Sequence, residues 1–111
     1  MDKPYVLVNK TRHHSQKNGG YYYRLEFLDT ETGELLETLV DELYDNYQHW
    51  KSVIESATSY GIYENLKLTK RTTKAGVRVI SADSTPVLVH KLSQEETRQI
   101  LESVLDDLQH R

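Results

Sequence analysis

Cysteine is absent from the 111 residues, and with it go disulfide scaffolds, thiolate metal sites and cysteine nucleophiles. A chain of this length can do without such staples, because it can bury about two thirds of its unfolded surface. Long apolar runs are missing too: none approaches the roughly 18 residues that a membrane span needs. The opening Met1-Asp2-Lys3-Pro4 lacks the apolar core of a signal peptide. These absences lead to the expectation of a cytoplasmic protein, in a host cell if the source is viral, with no membrane contact. Catalytic patterns are equally scarce. The chain has no glycine-rich phosphate loop and no HExxH. His13 and His14 are adjacent, so on a strand they would point to opposite faces, and in a loop they have no neighbouring carboxylate. Asp83-Ser84 lacks a positioned histidine, and Asp106-Asp107 reads as a solvated pair. No reaction, metal or cofactor is expected; the chain reads as a binding protein.

What is present is charge in blocks. The net charge of −3 argues against a protein that coats duplexes, since those are strongly basic. The distribution says more than the sum. Lys3, Lys10, Arg12, Lys17 and Arg24 face only Asp2 in the first segment. From Glu26 to Asp45 every charged side chain is acidic, and the sign reverses again at Lys67, Lys70, Arg71, Lys74 and Arg78. The last segment, Glu95 to Asp107, is mostly acidic. Such segregation can place a basic surface on an acidic protein.

Hydrophobic periodicity sets the elements. Tyr5–Thr11 is rich in β-branched residues and reads as a first strand, followed by a polar loop, Arg12–Gly20. Tyr21–Leu28 alternates: Tyr21, Tyr23, Leu25 and Phe27 share one face, and Tyr22, Arg24 and Glu26 share the other. Asp29–Glu34 is a hairpin turn, with Gly33 free to take the left-handed conformation, and Leu35–Val40 returns as a third strand. Asp45 with Gln48 makes a capping box for a helix carrying Tyr47, Trp50, Val53, Ile54 and Ala57, which Gly61 terminates. A fourth strand spans Ile62–Lys70. After the turn Thr72–Gly76 a fifth begins at Val77–Ser81, is interrupted by a bulge or short loop at Ala82–Pro86, and resumes over Val87–His90. Ser93 and Glu96 cap a last helix with Ile100, Leu101, Val104, Leu105 and Leu108 on one stripe. That stripe covers the sheet or pairs with a second copy of the chain. The fold class is therefore α+β and mostly β: a five-stranded antiparallel barrel or strongly curved sheet over residues 1–92, and an amphipathic helix over 93–111, within one domain.

The order strand, strand, strand, helix, strand, strand resembles the OB-fold, a five-stranded Greek-key barrel with a helix between its third and fourth strands. With its basic glycine-containing loops and three consecutive tyrosines, the chain looks like the single-stranded DNA-binding proteins of the OB class, small phage versions included. The resemblance implies a ligand lying across strands two and three, between the loops joining strands one to two and four to five. Those places carry Lys10, Arg12, His13, Lys17, Tyr22, Arg24, Lys67, Lys70, Arg71, Lys74 and Arg78. It implies sequence-tolerant binding of single-stranded nucleic acid, DNA in the first place, in replication, recombination or repair, beside a replication or host protein. Aromatic stacking and phosphate contacts would supply the affinity. The alternative is a small phage-type inhibitor or adaptor that docks a protein through its acidic hairpin, Asp29 to Asp45.

Overall fold

The computed structural model describes residues 5–17, 19–56 and 60–109; Asp2, Lys3, Ala57 and the side chain of Leu108 lie outside the described part. The elements run β1 (Tyr5–His14), β2 (Tyr21–Leu28), β3 (Leu35–Asp41), α1 (Tyr47–Glu55), β4 (Gly61–Glu64), β5 (Leu68–Thr72), β6 (Arg78–Ile80), β7 (Val87–Lys91) and α2 (Gln94–Gln109). The protein is mostly β, with one seven-stranded sheet in the order β5-β6-β3-β2-β1-β4-β7. All neighbours are antiparallel except β3 and β6, which run parallel. Among the described residues, no helix is long and apolar enough to cross a membrane.

The sheet has to curl. β4 and β5 are joined only by Asn65, Leu66 and Lys67, yet β4 lies beside β1 while β5 forms the far edge. Flat, the five strand spacings between them would span about 24 Å. The connecting chain reaches at most about 14 Å. The sheet therefore bends into a half-barrel that brings its far edge back towards β4.

Its concave side is the core. The alternation of β2 buries Leu25 and Phe27 completely, beside Leu36 and Val40 of β3 and Leu7 of β1. Helix α1 closes this side with Trp50, whose ring lies 6.2 Å from Phe27 and whose Nε1 donates to the Ala82 carbonyl at 2.9 Å. Phe27 meets Tyr63 of β4 edge-on at 5.9 Å. Truncating an aromatic buried like Trp50 costs about 3–5 kcal/mol. The β2–β3 turn forms as its residues dictate. Gly33 sits at φ 77° and donates to the Asp29 carbonyl at 2.8 Å, while the Asp29 carboxylate accepts from the Glu31 amide at 2.9 Å.

Four expectations need correction. The expected fourth strand breaks at Asn65, which takes φ 66°, and yields β4 and β5. The expected fifth strand becomes two strands on different neighbours, β6 against β3 and β7 against β4. Residues 82–86 are thus a crossing rather than a bulge, and among the described residues seven strands stand where five were predicted. Polar contacts to β4–β5 hold that crossing: buried Ser84 accepts from the Lys67 amide at 2.8 Å, and Asn65 Nδ2 donates to the Thr85 carbonyl at 2.8 Å. Third, α1 is shorter than the span from Asp45 to Gly61. Its N-cap is Asn46, without a side-chain cap, because consecutive turns from Asp41 already coil the chain there. It ends at Glu55 because the Lys10 ammonium donates to the carbonyls of Val53, Ile54 and Ser56. Last, the polar loop after β1 is shorter than predicted, since β1 continues through Arg12, His13 and His14.

The second capping box does form: Ser93 Oγ accepts from the Glu96 amide at 3.0 Å, and Glu96 Oε1 from the Ser93 amide at 3.1 Å. Helix α2 buries Thr97, whereas Ile100, Leu101 and Val104 are only half-buried and Leu105 is exposed.

Candidate nucleic-acid interface

A bulge decides which side chains share a face. The register of β1 against β2 shifts between Leu7 and Asn9. Beyond it Thr11 pairs with Arg24 and His13 with Tyr22, on the convex side, while Lys10, Arg12 and His14 pair with Leu25, Tyr23 and Tyr21 on the concave side. Across β2 and β3 the convex row continues through Arg24 opposite Leu39 and Tyr22 opposite Asp41.

On this convex face the Tyr22 and His13 rings lie nearly parallel, 5.0 Å apart at 18°. His13 Nε2 is fixed by a 2.8 Å hydrogen bond with Thr11 Oγ1. Beside them Leu39 is 52% exposed, an apolar side chain left uncovered mid-sheet. A shallow groove of about 570 Å³ runs past Tyr22 and Leu39, bounded by Lys17, Asp41, Tyr44 and Asn46. On the other side of Leu39, a smaller hollow of about 120 Å³ is lined by Arg71, Glu37, Thr73 and Val79.

The guanidinium of Arg24 is held in place. Its Nε and Nη2 donate to Glu37 Oε2 at 2.8 and 2.7 Å; the Arg24 side chain is 43% exposed and that of Glu37 only 7%. The pairing offsets most of the Arg24 charge but keeps the planar group in a set orientation, where it can still stack. Glu37 thereby escapes the penalty of a buried lone carboxylate.

The structure thus brings His13, Tyr22, Arg24 and Arg71 onto one face, with Lys17 at its rim. Other candidates lie elsewhere. Lys10 caps α1, and its burial lowers the ammonium pKa. Arg12 sits on the concave side, 4.5 Å from the Tyr21 ring centre. Lys67 is exposed in the β4–β5 connection, and Lys70 is exposed on β5 beside Arg71. Lys74 is exposed in the β5–β6 turn, which the Thr73 amide closes on the Val77 carbonyl at 2.8 Å. Arg78 pairs with Glu34 at 3.5 Å.

Leu39 and Tyr44 were not among the sequence candidates. The signal for Leu39 was there, since Leu36, Thr38 and Val40 alternate inwards and put it outwards. The two leucines at the start of β3 hide that alternation. The acidic segment is largely taken up by its own turns and strands. Asp41 accepts from the Leu43 amide at 2.9 Å, Glu42 from the Tyr21 amide at 3.1 Å, and Glu34 and Glu37 pair with arginines.

Tyr47, at the start of α1, stacks on Tyr23 at 6.0 Å and donates to Glu55 at 3.4 Å. Burial, and then the Glu55 charge, push its hydroxyl pKa up to about 12. No family model, curated protein or solved structure matches this chain.

Proposed function

We propose that this protein binds single-stranded nucleic acid without sequence preference, on the convex face of β2 and β3. The observation that carries the reading is one strip of the convex face: the half-buried Tyr22–His13 stack, exposed Leu39, and the side chains of Arg24 and Arg71. Bases offer a π-face whatever their identity, and stacking each on such a surface is worth about 1–3 kcal/mol. The strip is open and shallow, as a threaded strand requires, and the described residues along it lack the basic density that a duplex backbone demands.

The topology supports an OB-like reading of the sheet. Taken as one broken strand, β4 and β5 join β1 to β6, and β6 returns parallel to β3. That gives a partly open five-stranded barrel with β7 and α2 added to it. The ligand face then lies across β2 and β3, flanked by the β1–β2 and β5–β6 loops.

The charges set a quantitative expectation. With Arg24 paired, the cations within reach of a strand on the strip, among the described residues, are Lys17, Arg71 and, from the flanking β5–β6 turn, Lys74. Three neutralised phosphates at about −0.7 each give a slope of about −2 for log affinity against log salt. Anisotropy of a labelled mixed-sequence single strand, run beside its duplex, tests this. Tight binding of the single strand with that slope is expected, and a loss of at least ten-fold in Tyr22→Ala. Failure to bind at low salt, where charge interactions are exaggerated, would overturn the reading.

A further inference from the structure

The β1–β2 hairpin carries aromatic and basic side chains on both of its faces. On the concave side the Arg12 guanidinium carbon lies 4.5 Å from the Tyr21 ring centre, and His14 meets the same ring edge-on at 5.6 Å. One pair further in, Tyr23 stacks on Tyr47 at 6.0 Å and 28°. Beyond that the same side is core, with Leu25 and Phe27 fully buried. Helix α1 begins at Tyr47, so the end of the hairpin extends past its cover. Arg12 and His14 are exposed there, and Tyr21 is 38% exposed.

A strand face that outruns the core leaves its aromatic rings partly in solvent, where cross-strand pairing supports them and a ligand can reach them. Here it holds a tyrosine with a guanidinium laid over it, an arrangement onto which a further flat π-system can stack. Tyr21 and Tyr22 are consecutive, so their rings leave opposite faces of the same strand. Lys17, in the tip between β1 and β2, lies on the route from one face to the other.

We propose that Arg12 and Tyr21 form a second stacking subsite, and that a single strand of nucleic acid crosses the hairpin tip to occupy both faces. The inference rests on the binding function proposed above. Tyr22 and His13 hold bases on the convex side. Arg12 over Tyr21 holds a further base on the concave side, with the guanidinium N–H groups turned to its phosphate.

Strand length separates the two subsites. Anisotropy is measured with labelled oligothymidylates of about 5 and about 15 nucleotides, on the full chain, the Tyr22→Ala variant and the double variant Arg12→Ala/Tyr21→Ala. Tyr22→Ala should weaken both lengths. The double variant should weaken the longer strand about ten-fold, the scale of one lost stack, and leave the shorter within two-fold. Equal losses at both lengths, or no loss at the longer, would overturn the second subsite while Tyr22→Ala still reports the first. If the full chain binds neither length at low salt, the parent reading fails and takes this one with it. Should the double variant lose its far-ultraviolet circular dichroism, Arg12→Gln alone is used, with a loss of at least three-fold confined to the longer strand.

Discussion

Gly61 shows how one residue can carry a meaning that its neighbours in sequence do not reveal. Following an apolar helical pattern, it reads as a helix terminator. In the fold it opens β4, where a Cβ would sit 2.3 Å from the His90 carbonyl oxygen and 2.7 Å from a Leu88 methyl. The glycine is there so that β7 can close on β4. Gly61→Ala should therefore destabilise the protein by about 2 kcal/mol, within the range for overpacked sites. Urea denaturation checks this; an unchanged midpoint would mean that β7 does not close on β4 at Gly61. Tyr47 makes a second residue-scale prediction. Its folded pKa is raised from the ordinary 10.0 to about 12, so the neutral hydroxyl is the form the fold favours. The stability this contributes is complete below pH 10 and is lost as pH rises towards 12. The urea midpoint should fall across that window by less in Tyr47→Phe than in the unaltered protein. Parallel curves for the two would sink the assignment.

At the scale of elements, α1 ends because of a side chain 43 residues earlier. At the helix C-terminus the Val53, Ile54 and Ser56 carbonyls accept from the Lys10 ammonium, which also lies 5.5 Å from the Tyr60 ring centre. Lys10→Met keeps the aliphatic stem and removes the donors. It should cost about 1–2 kcal/mol and fray the last turn of α1, read as lost helical ellipticity and a lower urea midpoint. Retained helicity and an unchanged midpoint would show that water serves those carbonyls equally well. The same lysine is a phosphate ligand when judged from charge placement alone. The Val8 bulge turns it inwards instead, as it turns His13 outwards.

For the whole molecule, the decisive contacts join the β4–β5 connection to the β6–β7 crossing. Ser84 is fully buried with its hydroxyl on the Lys67 amide, and the Ser81 amide donates to the Lys67 carbonyl at 2.8 Å. These bonds fasten the curl and so fix how β5, with Arg71, stands beside β3 and Leu39. Ser84→Ala should remove the acceptor of the part-buried Lys67 amide, at a cost of about 1 kcal/mol. It should also lower single-strand affinity, because Arg71 loses its support. A full-affinity variant with unchanged stability would show that the curl is held elsewhere.

Much of this was legible in the residues themselves. The alternation of β2, the Gly33 turn, the Ser93–Glu96 capping box and the apolar face of α1 follow from interactions within a few positions along the chain. So does the opposition of Tyr21 and Tyr22, which needs only the two-residue period of a strand. Other features required the tertiary structure: the division of the predicted fourth and fifth strands, the side on which Lys10 and Arg12 emerge, the pairing of Arg24 with Glu37, and the exposure of Leu39. Each depends on a bulge or a contact between distant segments. The free energies that decide them are those of buried hydrogen bonds, ion pairs and close backbone approach. No local window of sequence contains both partners of such a contact. Periodicity determines which residues can form a face, and only the folded chain decides which face is covered.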